Sequence, residues 1–258
     1  ISYLVEVQRG TYPAERDLSA YFSFVLFFPK FLAGPVERPA HLLPQLKQVH
    51  EFDAARALRG LERMLWGFFK KLVIADNIAV LVAHIYATLP HTDGPALLFL
   101  VLLYPFQMYA DFSGYTDIVL GAALVLGIKL SENFDRPFSS HSISEYWRRW
   151  HISVSTWFRD YVYFQLASPK EKTEMRRYVA LFITFVVSGL WHGATWTFLV
   201  FGLFNATVRV LDNLTVRVRK PVWAAIDVLG LSRLSGALQI LFTFCLTAAS
   251  LLFFGAPS

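Results

Sequence analysis

Between Tyr178 and Val208 the chain runs for 31 residues without an Asp, Glu, Lys or Arg, and from Leu234 to Ser258 it does so again. A bilayer core of about 30 Å is crossed by about 20 apolar residues in a helix. Within it every backbone N–H and C=O must be paired inside the chain. Such runs have few choices besides a membrane-crossing helix. The remainder agrees, with 55% hydrophobic and only 17% charged residues, where soluble domains carry about 25% charged. The fold class expected is an all-α polytopic integral membrane protein. Disorder is excluded by the abundance of Phe, Leu, Val and Trp. The net charge of +5 lacks the polar surface that a nucleic-acid binder needs, so no nucleic acid is expected as partner. An excess of this kind suits loops at a cytoplasmic leaflet. The single cysteine, Cys245, excludes a disulfide scaffold and Cys-based metal centres; it reads as lipid- or core-facing filler, and no metal is expected.

Five regions are apolar enough to be considered as spans. Leu18 to Ala33 is short and interrupted by Pro29 and Lys30. Leu61 to Ala87 carries Lys70, Lys71 and Asp76, which suits a span with a polar, protein-facing stripe or a helix partly in the interface. Ala96 to Ile128, interrupted by Pro105, Asp111, Gly114 and Asp117, is expected to form two helices meeting at a polar break. Tyr178 to Val208 and Leu234 to Ser258 are the uncharged runs. Gly34 to Arg63 reads as a loop. Lys129 to Arg177 has nine basic and six acidic residues around an aromatic centre, and an amphipathic or re-entrant helix among lipid headgroups fits it. The expectation is one membrane-embedded domain, residues 1–258, with about six or seven membrane segments. No signal peptide is visible, since Ile1 to Asp17 is too polar. A chain that begins at Ile1 and ends just after an apolar run is expected to be part of a longer polytopic protein, truncated at the N-terminus and possibly the C-terminus.

His192 lies near the middle of the fourth run, between Gly189 and Gly193. On an uninterrupted helix it would sit about 21 Å and 24 Å from the two ends. An ionisable residue at that depth is a functional candidate by default, although a histidine that only ties two helices together is the plainer reading. Imidazole is suited to take a proton from a hydroxyl near neutral pH; depth alone leaves base, proton relay and metal ligand open. A second cluster runs from Glu145 to Tyr161. On one helix Arg148, His151 and Ser155 would share a face, which with Arg149 and Arg159 could hold a phosphate-bearing donor or simply the headgroups. Asp111 and Asp117 either line a pathway or pair with basic residues. Asn133, Asp135 and Arg136 before Pro137 suggest a turn, and His41, His50, His84 and His91 read as structural or solvated. No Gly-x-Ser-x-Gly elbow, Walker loop, Gly-x-Gly-x-x-Gly or His-Glu-x-x-His occurs.

The stretches Phe28 to Arg38, Tyr109 to Asp117, Glu132 to Phe138, Tyr146 to Tyr163 and Ser188 to Trp196 carry a resemblance. Most specific is Trp147-Arg148-Arg149-Trp150-His151-Ile152-Ser153, followed by Trp191-His192-Gly193. The chain resembles the membrane-bound O-acyltransferase family, and within it the bacterial branch of alginate O-acetylation and teichoic acid D-alanyl transfer proteins. The resemblance implies a helical bundle with re-entrant or interfacial helices and acyl transfer, most simply of acetyl, from a thioester to hydroxyls of a cell-surface polysaccharide. It implies His192 as the intramembrane catalytic histidine and His151 as the second, near a channel mouth. Arg148, Arg149, Ser155 and Arg159 would then shape the donor entrance, and Asp111, Asp117, Trp191 and Asn205 the pathway. No tightly bound cofactor is implied; the donor would be acetyl-CoA or an acyl carrier protein. Membrane lipids, an extracytoplasmic acetyltransferase and a polysaccharide acceptor would be the partners, and the bacterial inner membrane the location. Lipid O-acylation, proton-coupled transport and a non-catalytic scaffold are the alternatives.

Overall fold

The computed structural model describes residues 1–88, 91–167 and 173–256, and among them secondary structure is helical throughout. In chain order the helices are α1 (Ser2–Gln8), α2 (Leu18–Leu26), α3 (Pro39–Leu46), α4 (Ala54–Phe68), α5 (Asp76–Ala87), α6 (Gly94–Val125), α7 (Ile143–Arg149), α8 (Ile152–Phe158), α9 (Phe164–Ala167), α10 (Glu174–His192), α11 (Trp196–Val228) and α12 (Ser232–Gly255). Three helices are long and apolar enough to cross a bilayer: Gly94–Val125, Trp196–Ile226 and Ser232–Gly255. The chain divides into two compact units, Ile1–Leu89 with Phe106–Asn133, and Pro90–Pro105 with Phe134–Ser258.

In the first unit α4 continues through a wide, π-type stretch, Phe69–Ala75, into α5. Asp53 caps α4, its carboxylate accepting from the backbone N–H of Ala55 and Arg56. Two glycines two turns apart on this helix meet two on α6, in antiparallel order. A Cβ on Gly60 would stand 2.7 Å from the carbonyl oxygen of Gly121, and one on Gly67 would stand 2.6 Å from that of Gly114. Small residues at such a spacing let backbones touch, which is how helices associate without a hydrophobic driving force. Ala20, Phe24, Leu42, Leu43, Leu120, Ala123, Ile128 and Leu130 form the buried core beside this contact. Along α3, Gln45 locks the segment after α6: its amide donates to the carbonyl of Lys129 at 3.0 Å and its oxygen accepts from the N–H of Lys129 at 2.8 Å.

Several expectations are corrected. Leu18 to Ala33 does not span, because α2 has nine residues, about 13 Å of helix, and Pro29 turns the chain in a tight 3-10 turn behind it. Gly34 to Arg63 is not a plain loop: it contains α3, started by Pro39, and the first turns of α4. Ala96 to Ile128 holds one helix, α6, and not two. Pro105 is carried inside it, and the Asp111 and Asp117 carboxylates take side-chain cations as partners without ending it.

In the second unit the uncharged run Tyr178 to Val208 is likewise not one helix. It folds back at residues 193–195 into the antiparallel pair α10 and α11. Gly189 is the contact: a Cβ there would meet the carbonyl oxygen of Phe198 at 2.5 Å and the Cα of Gly202 at 2.7 Å. α12 packs on α11, the short helix α7 lies against both, and α8 packs beside α7.

Gly67→Leu should therefore lower the stability of the membrane protein by about 1–3 kcal/mol, the usual cost of overpacking. Gly236→Ala, where an added Cβ meets nothing within 4 Å, should be neutral or stabilising by up to about 1 kcal/mol. Thermal unfolding in nanodiscs, followed by tryptophan fluorescence, checks both.

Candidate active site

His192 is the last residue of α10, and Gly193 after it is nearly fully extended, with its N–H bonded to the carbonyl of Leu190 at 3.2 Å. The histidine thus sits at the reversal of a hairpin and not at mid-helix. The physical reason is Gly193: the Phe198 ring lies where its Cβ would be, within 2.8 Å. Four aromatic rings surround the imidazole. Trp191 and Phe254 have centroids at 4.9 Å, both edge-on, and Phe198 and Phe201 lie at 5.9 and 6.0 Å. Phe198 and Phe201 are one turn apart on α11, so both face α10, and Phe254 comes from α12. Trp191 is more than half exposed and touches Phe158 of α8 edge-on.

His151 approaches from α8. The expected single helix face of Arg148, His151 and Ser155 does not form, because the helix breaks between them: α7 ends at Arg149 and α8 begins at Ile152. His151 has a left-handed backbone, φ +44°, which costs a residue with a Cβ about 1 kcal/mol or more and persists only where the surroundings enforce it. Those surroundings are aromatic. Trp150 stacks on Tyr146 at 5.7 Å and meets Phe134 edge-on at 5.1 Å, while Phe138 links the group to Phe244 of α12. The N–H of Asp135 also bonds to the carbonyl of Arg149 at 2.9 Å, so the turn expected at residues 133–137 braces the break. His151 is buried, 9% exposed. Burial pushes its pKa down to about 3, and the charge His192 would carry acts in the same sense. The two imidazoles are therefore within electrostatic reach of each other.

The other candidates are placed as follows. Arg149 pairs with Glu145 at 2.7 Å and Arg159 with Asp160 at 2.8 Å. Ser155 donates through Oγ to the carbonyl of Trp150 at 3.1 Å. Asn205 donates to the carbonyl of Phe201 at 2.8 Å and to Ser250 Oγ at 2.6 Å, tying α11 to α12. Asp111 and Asp117 belong to the first unit and are ion-paired there. Lys71 bridges Asp111 and Asp76, both at 2.7 Å. Asp117 accepts from Lys70 and from Arg63, whose other nitrogens hold Glu132 at 2.5 and 2.7 Å. Of the two sequence readings, pairing is what the geometry gives, with these cations and not with Arg148, Arg149 or Arg159. His41 and His50 are structural: His41 pairs with the buried Glu37 at 2.5 Å, and His50 bonds to the carbonyl of Gln45 at 2.7 Å. The sequence reading missed the Phe198, Phe201 and Phe254 rings, for which only the i, i+3 spacing of the first two was a signal. It also missed Arg209 and Asp212, charges in the continuation of a span.

The sequence model of the membrane-bound O-acyltransferase family matches residues 8–230, and the chain belongs to that family. It is 43% identical to the probable alginate O-acetylase AlgI of Azotobacter vinelandii, over 83% of this chain and 42% of that protein. It is 38% identical to a peptidoglycan O-acetyltransferase of Helicobacter pylori, over 72% of this chain and 35% of the relative. Identity to a teichoic acid D-alanyltransferase of Bacillus subtilis is 31%, over 83% of this chain and 56% of the relative. The chain thus spans less than half the length of the first two.

Because the folded pKa of His151 lies below the ordinary imidazole value, the unfolded chain takes up this proton first as pH falls. The stability it contributes is present above pH 6.5 and is lost progressively toward about pH 3. Stability should fall by up to about 1.4 kcal/mol per pH unit in that window from this group. His151→Gln should flatten the curve, read as Tm against pH for both proteins.

Proposed function

We propose that this membrane-bound O-acyltransferase passes an acyl group, most simply acetyl, from a thioester toward hydroxyls of a cell-surface polysaccharide. It does so as a multi-pass protein of the bacterial cytoplasmic membrane acting with an extracytoplasmic acetyltransferase. The observation that carries this reading is the His192 imidazole in its aromatic cage at a hairpin reversal, with His151 in electrostatic reach. The names of the relatives supply the acyl and acceptor classes: alginate, peptidoglycan and teichoic acid are all surface polymers.

In this reading an acceptor hydroxyl attacks the thioester carbonyl carbon while a nitrogen of His192 takes its proton. The carbon–sulfur bond then breaks, the ester leaves, and the thiolate recovers that proton from the imidazolium. Phe198, Phe201 and Phe254 exclude water, which would otherwise compete as nucleophile and hydrolyse the thioester. His151 assists from its rigid break by orienting the same groups. Arg148, Arg149 and Arg159 set a positive field at the donor entrance with Ser155 beside them, for acetyl-CoA or an acyl carrier protein. Trp191 lines the approach to His192, with Asn205 fixing the helices behind it. Asp111 and Asp117 hold the other unit together through ion pairs. No tightly bound cofactor enters the step. The family match runs from residue 8 to residue 230, which supports reading the chain as one membrane-embedded catalytic domain.

His192→Ala should lower ester-linked acetate on the surface glycan at least about 100-fold, the low end for loss of a general base, in a strain lacking the chromosomal copy. Membrane insertion, checked by fluorescence-detected gel filtration, should be unchanged. Full glycan acetylation by the variant would remove the catalytic assignment, and acetate lost from lipid instead would reassign the acceptor.

A further inference from the structure

The four arginine and serine candidates at the donor entrance are not equally available. Arg149, Arg159 and Ser155 are engaged with Glu145, Asp160 and the Trp150 carbonyl. Arg148 has no hydrogen bond or ion pair among the described residues. Its helix, α7, packs on α11. One turn before Arg148, Ser144 donates through its backbone N–H and its Oγ to Asp212 Oδ2 of α11, at 3.0 and 2.8 Å. One turn before Asp212 on α11 stands Arg209. The two helices run antiparallel at this contact, so the second rung of the ladder sets Arg148 opposite Arg209. The two guanidiniums lie in electrostatic range of each other, with the Tyr163 hydroxyl also in range of Arg209.

Charge balance makes this rung unusual. Arg219 reaches Asp212 Oδ1 at 2.5 Å, and Arg209 stands 3.8 Å from its other oxygen while donating to Asn213 Oδ1 at 2.5 Å. Among the described residues of this cluster three cations face one carboxylate. The Arg209 side chain is only 18% exposed, on a helix long and apolar enough to cross the membrane. Like charges near one another repel, and a buried arginine in a spanning helix marks function by default. Planar guanidinium forks match the oxygens of a phosphate group, and a doubly charged anion would neutralise the excess.

We propose that Arg148 and Arg209 together bind the phosphate of a phosphopantetheine-bearing acyl donor, with Asp212 fixing the spacing between α7 and α11. This rests on the acyl-transfer reading and adds Arg209, which no sequence motif marks. The shared chemistry is the 4′-phosphate, which coenzyme A and an acyl carrier protein both carry.

The test uses the full-length membrane protein in nanodiscs with acetyl-4′-phosphopantetheine and acetyl-pantetheine as donors. The wild type should prefer the phosphorylated donor in kcat/KM by about tenfold or more, the scale of a charge-assisted hydrogen bond. Arg209→Gln and Arg148→Gln should each bring that ratio close to one, and Arg209→Lys should restore part of it. A merely structural defect would lower both values and leave the ratio. If Arg209→Gln fails to fold, Arg148→Gln, on an exposed side chain, decides the matter alone. A wild type indifferent to the phosphate, or variants that keep the preference, would overturn the site. Equilibrium dialysis of radiolabelled 4′-phosphopantetheine separates the two levels: arginine-dependent binding without any acetyl transfer would leave the site standing and sink the acyl-transfer reading. Acetyl-CoA and an acetylated carrier protein, compared in parallel, identify the source by the lower KM.

Discussion

The close approach of α10 and α11 at Gly189 and Gly202 is the contact on which the geometry around His192 depends. With no side chain at either position the two backbones come within van der Waals distance, and only then do Phe198 and Phe201 reach the imidazole one turn from the reversal. The reversal itself exposes backbone groups, which a bilayer tolerates only where protein covers them. Here the Phe198 ring covers Gly193. The same packing that closes the hairpin therefore builds the cage, and stability and site share one origin.

The first unit solves a different problem, that of charges on helices packed face to face. Removing one partner from a buried pair is far costlier than the pair is favourable, so each carboxylate must find its cation at assembly. The π-type stretch Phe69–Ala75 serves that end. Its wider turn offers consecutive lysines to α6, with Lys70 reaching Asp117 and Ser113, and Lys71 reaching Asp111. Around it the Gly60–Gly121 and Gly67–Gly114 contacts fix the register, because a slip of one turn would set side chains against backbone. Ion pairs and glycines thus specify one alignment jointly.

Much of this was legible in the residues, and the parts that were not have physical causes. Absence of charge identified the apolar runs, but it is blind to direction: a hairpin and a single helix have the same composition. Length held the better signal, since 31 residues as one helix would measure about 46 Å, well beyond the hydrocarbon core. The break expected in α6 does not form: Asp111 and Asp117 find lysine partners from a neighbouring helix, and Pro105 is accommodated within the helix. The histidines were found because their chemistry is rare at such positions. The left-handed turn at His151 was not, since nothing in its own identity favours φ above zero; the surrounding Trp150, Tyr146, Phe134 and Phe138 rings impose it. The glycine pairs seven apart were visible in the sequence and would have given the α4–α6 register.

What distinguishes the two arginine environments of this protein is the sign left over once local pairs are counted. Arg63 has two carboxylates at hand, Asp117 and Glu132, and its guanidinium is saturated. Around Asp212 the proportion is reversed, with Arg209 and Arg219 both drawn to one carboxylate and Arg148 left over. Arg209 is the buried member of this group, on a helix long and apolar enough to cross the membrane, and it shares the Asp212 carboxylate with Arg219. The cage around His192 has no charged wall of its own to attract a donor. In the proposed reading the excess on α7 and α11 attracts the donor's anionic end within the same unit, apart from the ring-lined place at His192 where its thioester would react.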